Sequence, residues 1–371
     1  MKGYFLDNAS TTRPYKEVAD VVYDTMLNHY GNPSSQHQLG SDAKEIVERV
    51  RDQIAADIGC LPEEIIFTSG ACEANSLAFT AAKKICTTRL EHKSIETICQ
   101  DPLYFNNDVK GNIILDNSTL VDLGAHNWLV SVHAANSEIG VIQDLESISK
   151  FIHRYNNIFH VDATQLYPEQ RINVKELGID MMSVSAQKFN GPKGIGFLYC
   201  RNGINLNPLI GGSQENYRRG GTYNVAAIAG MGKALELARK FQEEKNANTR
   251  LIRDELAIKL LEIPDVYLNG PELNSNRLYN NISLTIDGIK ASDFVTMASL
   301  YGIYISAGSA CSSGESIPSS TLIAIGLTNE QALNTIRITV SDSLTQDDIE
   351  YIVQILKGII LMLRQTGETH E

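Results

Sequence analysis

The sequence is poor in the features that would tie it to a nucleic acid, a membrane or an oxidising compartment. It carries 44 acidic against 32 basic residues, a net charge of −12. With no basic run or aromatic-interleaved patch either, a direct phosphate-backbone partner is not expected. No apolar stretch reaches membrane-spanning length, and the opening MKGYFLDNAS lacks the apolar core of a secretory signal. The six cysteines, at 60, 72, 86, 99, 200 and 311, include no C-x-x-C pair, and the eight histidines show no H-E-x-x-H spacing. That argues against a disulfide framework or a metal centre, and for a reducing cytoplasm.

What is present is the length for two domains, 371 residues, and an alternation of helical and strand-like patterns. KEVADVVYDTMLNHY and SDAKEIVERVRDQIAADIG carry helical periodicity, the second with Ser41 as its expected cap and Glu45 near the first turn. EEIIFT reads as a strand and CEANSLAFTAAKKI as the helix after it. WLVSVHAA and IFHVDA are strands separated by the helix-like DLESISKFIHRYN. Such alternation implies parallel strands with crossover helices, an α/β domain. The run from Gly230 to Ile263 reads as one long helical stretch bridging to a second part. There NNISLTI and NTIRITVS are strands, with ASDFVTMASLYG and QDDIEYIVQILKGIILMLRQ as helices, so a smaller α+β domain is expected.

Three polar clusters fall where strands end, which is where open α/β sheets bind ligands. EIIFT-SGA-CEAN is a strand, a glycine turn and a helix start, either an anion site on free backbone N–H groups or a plain turn capped by Ser69. In IFHVDATQ, Asp162 ends an apolar strand and calls for a cation, which a protonated heterocyclic nitrogen or an ordinary lysine or arginine could supply. In SVSAQKFNGPKGIG, Lys188 stands between two apolar runs. It is either a strand-end lysine reaching water or a desolvated amine able to condense with an aldehyde. An anion site, a buried aspartate and such an amine are together what pyridoxal 5'-phosphate needs.

The chain also resembles the cysteine desulfurases, fold-type I (class V aminotransferase-like) pyridoxal phosphate enzymes, over nearly its whole length. The matching stretches, in family order, are FLDNASTT, GNPSSQHQLG, FTSGACEAN, EHKS, NSEIGVIQD, HVDATQ, SAQKFNGPKGIGFLY, RRGGT, SAGSACSS and NTIRITVS. The resemblance implies a large domain with a mainly parallel seven-stranded sheet, residues 15–259, and a smaller α+β domain, residues 260–371. The N-terminal segment, residues 1–14, is expected to pack with the latter.

Carried over by position, Lys188 resembles the lysine that binds the cofactor covalently, Asp162 the partner of the pyridine nitrogen, and Gln165 the glutamine near the ring hydroxyl. His92 is similar to the imidazole that stacks on the ring and assists proton transfer. Ala71 and Cys72 offer backbone donors to the phosphate, Ser185 and Gln187 side-chain donors, and Thr222 resembles a threonine that reaches a phosphate across a homodimer interface. Ser137 falls in the cofactor shell, Arg337 matches the arginine that binds the substrate carboxylate, with Asn136 beside it, and Cys311 matches the nucleophile. The family usually has threonine, asparagine and histidine where this chain has Cys72, Ser137 and Gln187, so loose cofactor binding is expected.

SAGSACSSGES, all small and polar, reads as a mobile loop that suits a sulfur carrier, whereas the other cysteines are expected to be inert core thiols and Lys193 a solvated turn residue. The implied reaction converts L-cysteine to L-alanine, with sulfur held as a persulfide on Cys311 and passed to an acceptor protein. Selenocysteine lysis, another reaction of the same cofactor and a cofactor-poor sulfur-transfer scaffold remain open. So does the acceptor, whether for iron–sulfur assembly, tRNA thiolation or DNA modification.

Overall fold

Seven apolar runs, most of them buried along their whole length, form the central sheet of the computed structural model, which describes residues 3–116, 128–308, 311–312 and 315–368. The strands are β1 (Ile65–Thr68), β2 (Ile85–Thr87), β3 (Leu103–Tyr104), β4 (Leu129–His133), β5 (Ile158–Asp162), β6 (Met181–Ser185) and β7 (Gly196–Cys200). Their order is β1-β7-β6-β5-β4-β2-β3. The pairs β2–β3, β2–β4, β4–β5 and β5–β6 are parallel, and β7 runs antiparallel to both neighbours. Runs such as LVSVH and MMSVS show no polar alternation because helices cover both faces of a parallel sheet. All strands but β7 therefore end at one edge, bringing Thr68, His133, Asp162 and Ser185 together.

The helices around this sheet are α1 (Lys16–Asn28), α2 (Gln38–Ile58), α3 (Ala71–Ala78), the single turn α4 (Lys93–Glu96), α5 (Leu145–Ile152) and α6 (Val225–Lys240). In α2 the residues Ala43, Ile46, Val47, Val50 and Ile54 recur on one face and are buried, and Gly59 closes the helix at φ 76°. Contrary to the expected Ser41 cap, α2 starts a turn earlier: His37 Nδ1 accepts from the Gly40 amide at 3.3 Å. The earlier start needs glycine at 40, because a Cβ there would lie 2.4 Å from the Ser35 carbonyl oxygen. A tertiary approach of this kind leaves no local signature.

The expected long helix is likewise two helices, α6 and α7 (Gln242–Leu261), broken at Phe241 with φ −113°. Ile252, Leu256 and Leu260 of α7 join a second apolar core. That core covers an antiparallel sheet of β8 (Val266–Leu268), β9 (Asn281–Ile286), β10 (Ser306–Ala307) and β11 (Thr335–Thr339), in the order β10-β11-β9-β8. The helices of this half are α8 (Ala291–Leu300), α9 (Ser320–Ala324), α10 (Asn329–Leu333) and α11 (Gln346–Glu368). The N-terminal segment belongs to the same core: Tyr4–Phe5 pairs in parallel with Ile303–Tyr304, and Leu6 is fully buried in it. Among the described residues no helix is long and apolar enough to cross a membrane.

Candidate active site

The carboxyl edge of the large sheet faces β10, β11 and α9 across a cavity of about 1020 Å³. Eleven of the sequence-predicted residues line it: Ala71, Cys72, His92, Asn136, Ser137, Asp162, Gln165, Ser185, Gln187, Lys188 and Arg337. They come from six separate stretches of chain, so the topology rather than local spacing assembles the set.

Lys188 sits in a short 3₁₀ turn directly after β6. Its ammonium donates to the backbone carbonyls of Ala9 and Ser10, the latter at 2.7 Å. Burial and then the nearby Arg337 charge push its pKa down to about 8, against opposing pulls from Asp162, Asp7 and Cys72. It is not a strand-end lysine reaching water.

Asp162, 7% exposed, is oriented from both sides: Asn75 Nδ2 donates to Oδ2 at 2.8 Å and the Thr164 amide to Oδ1 at 3.0 Å. Asn75 Nδ2 also donates to Ser94 Oγ at 3.0 Å, and Ser94 Oγ lies 2.8 Å from His92 Nδ1. The Ser94 amide donates to that same nitrogen at 3.1 Å, so in the neutral ring the proton sits on Nε2. His92 and Asp162 are thus ends of one hydrogen-bonded chain.

Beyond β1, Gly70 stands at the N-terminus of α3 with φ 149°, and a Cβ there would meet Ser185 Oγ at 3.4 Å. This close approach exposes the first backbone N–H groups of α3, Ala71 and Cys72 among them, which have no partner within the helix. Gly70 rather than Ser69 holds the cap position; the Ser69 amide donates to Glu73 at 2.7 Å.

Arg337 lies on β11 opposite Ser283 and Ser306. Its Nη2 donates to Asp7 Oδ1 at 2.7 Å, while Nε is buried without a partner. Asn136 shapes its own turn: Oδ1 accepts from the amides of Glu138 and Ile139 at 2.8 and 2.9 Å, and Nδ2 donates to the Leu90 carbonyl at 2.8 Å.

The class-V aminotransferase profile matches residues 4–352. The chain belongs to that family. Among its relatives, a protein named cysteine desulfurase IscS from Dictyoglomus turgidum is 39% identical over 97% of this chain and 95% of its own length. A solved structure of a NifS-like protein from Rickettsia africae matches with a TM-score of 0.89 at 30% identity, covering 96% of this chain and 99% of that one. A structure described as SspA in complex with cysteine matches at 0.78 and 30% identity, covering 93% and 100%.

One expectation changes. Cys72 is not a core thiol: it is exposed in the first turn of α3 and lines the cavity. Cys86 and Cys200 are buried core thiols, with burial pushing Cys200 up to about 12. Thr222 is exposed and does not line the cavity of its own chain; the neighbouring Arg219 pairs with Glu73 at 2.7 Å. The backbone of Cys311 pairs with Ser316 in a two-stranded ribbon, its side chain lying outside the described residues, and Ala307, Gly308, Ile317 and Ser319 on either side line the cavity.

The residues present fit pyridoxal 5'-phosphate by their donor chemistry: backbone N–H groups and a hydroxyl for an anion, a buried carboxylate for a ring cation, and a desolvated amine for an aldehyde. Thr164 Oγ1 and Arg337 Nε, both on residues lining the cavity, are buried without hydrogen-bond partners. A polar ligand would use such atoms. Sequence reasoning missed Asn75, Asp7, Glu138 and the carbonyls of Ala9 and Ser10. All lie inside the quoted motifs, but nothing local shows what they touch.

Proposed function

We propose that this protein is a cysteine desulfurase that uses pyridoxal 5'-phosphate to convert L-cysteine to L-alanine and holds the sulfur as a persulfide on Cys311. The observation that carries this reading is the desolvated Lys188 amine between Asp162 and Arg337. Bound there, the cofactor supplies the sink for the electron pair released at the substrate Cα. The α3 amides of Ala71 and Cys72, with Ser185 and Gln187, bind its phosphate, and Ser137 and Gln165 flank its ring hydroxyl. Asp162 would hold the proton on the ring nitrogen, and His92 would pack against the ring.

Lys188 anchors the cofactor and, as a free amine, moves the Cα proton with His92 assisting. Arg337 binds the substrate carboxylate through the donors Asp7 leaves free, next to Asn136. The Cys311 thiolate attacks the substrate sulfur, forming the S–S bond as the Cβ–S bond breaks. A sulfur-acceptor protein then takes the persulfide.

We further propose a homodimer in which Thr222 completes the partner's phosphate site. The two apolar cores support a division into a cofactor-binding part and a smaller part that includes segment 1–14. Because α7 packs in the second core, we place their boundary at Phe241 rather than at 259.

Purified protein should show the cofactor's visible absorption and produce alanine and sulfide from L-cysteine. Cys311→Ser should keep the cofactor and its spectral response to cysteine but form no persulfide. A higher kcat/KM for selenocysteine than for cysteine would replace the reading with selenocysteine lysis, and absent visible absorption would leave only a scaffold.

A further inference from the structure

Glu138 has no part in the chemistry above, yet its carboxylate stands between the two ends of the segment that carries Cys311. Its amide donates to Asn136 Oδ1 at 2.8 Å and its carbonyl accepts from Asn281 Nδ2 at 3.2 Å, which pins the turn after β4 to β9. The side chain lines the cavity. On one side Oε2 accepts from Ser319 Oγ at 2.6 Å, and that hydroxyl oxygen in turn accepts from the Leu322 amide at 3.4 Å, capping α9. On the other side Oε1, buried and without a hydrogen-bond partner, lies against Gly308. A Cβ at 308 would come within 2.8 Å of it, so a side chain there would push the carboxylate aside. The Gly308 amide donates to the Thr335 carbonyl at 2.8 Å, holding that end to β11.

We propose that Glu138 is a positioning residue for sulfur transfer: its carboxylate ties Ser319 down beside Gly308 and so sets where the Cys311 segment begins and ends relative to Lys188 and Arg337. The tie is charge-assisted and therefore depends on ionisation. Burial raises the carboxyl pKa to about 7, offset in part by Ser319, Arg337, Thr321 and Lys93. The charges facing it are Arg337 from β11 and Lys93 from α4, and the cavity also carries His92, Glu91, Asp162 and Lys188.

The kinetic part of this inference rests on the proposed desulfurase reading; the structural part does not. In the full-length holoenzyme, hydrogen exchange of peptides spanning Gly308 and Ser319, corrected for intrinsic rates, reads the tie directly. Glu138→Gln and Ser319→Ala should exchange roughly tenfold faster there, the order expected for losing one hydrogen bond to a charged group. Ser319→Thr, which keeps the hydroxyl, should restore protection. In Glu138→Gln the rate of persulfide formation should drop about tenfold. Its cofactor content and KM for L-cysteine should stay unchanged.

Exchange indistinguishable from wild type in both variants would overturn the tie. A loss in Glu138→Gln carried by KM would overturn the positioning role and make Glu138 a substrate ligand. If exchange responds as expected but no form of the protein makes a persulfide, the tie stands and the desulfurase reading falls.

Discussion

The two walls of the cavity each carry a buried ionisable group pushed towards neutrality, but they are built differently. On the sheet wall Lys188 is drawn down to about 8, and its ammonium donates to two backbone carbonyls at the end of a fully buried strand. Against the opposite wall stands Glu138, reaching across from the turn after β4: it is drawn up to about 7, with one oxygen on a serine of that wall and the other unpartnered. Its neighbours come from short pieces, the two-residue β10 and the five-residue α9. A wall of long buried strands suits a group bound once and kept. A wall of short elements with open hydrogen-bonding capacity suits a substrate and a nucleophile that must adjust at every turnover.

The strongest break of this contrast is on the sheet wall. Lys188→Ala should abolish the visible absorption and lower turnover on the order of a thousandfold or more, with thermal unfolding little changed. Lys193→Ala should leave both intact, and the reverse outcome would move the anchor to Lys193. On the other wall, Arg337→Lys should raise the KM for L-cysteine roughly thirtyfold while the cofactor spectrum stays as in wild type, since lysine keeps the charge but not the planar fork. Steady-state kinetics beside an absorption scan separate the two walls.

Titration sharpens the contrast. The neutral amine of Lys188 is the form that captures an aldehyde. In cofactor-free protein the capture rate should therefore climb about tenfold per pH unit below 8 and level off above it, which stopped-flow absorbance would follow. The linked stability change has a fixed sign: with the folded value below the ordinary 10.5, the unfolded chain binds more protons between about 8 and 10.5. This group's contribution to stability then rises with pH across that window. The smallest effect belongs to the phosphate end. Cys72→Thr should tighten cofactor binding by a few-fold to about tenfold in a titration of apo-protein, and Ser137→Asn by a similar amount. No gain from either would mean that other residues already make those contacts.

Legibility followed the same division. The strands leading to Lys188 and Asp162 could be read because continuous apolar runs and their end residues are local features. The partner of Asp162 could not, since Asn75 lies 87 positions away and reaches it only because α3 packs beside β5 and β6. The N-terminus of α2 and the break at Phe241 were misplaced because a glycine contact and a change of core, not propensity, decide them. The motif could place Cys72 at the phosphate, but not show that its thiol is exposed in the cavity, which the turn of α3 decides.

Taken alone, the sequence determined the alternation of strands and helices, the chemical identity of the candidate residues and their family order, because periodicity and side-chain type are properties of neighbours along the chain. The tertiary structure alone decided that Lys188 is desolvated, that Asp7 occupies part of Arg337, and that Glu138 stands between Gly308 and Ser319 with one oxygen unpartnered. Desolvation and hydrogen-bond satisfaction depend on which atoms surround a group in space. In this chain those atoms are carried by segments up to 330 positions apart.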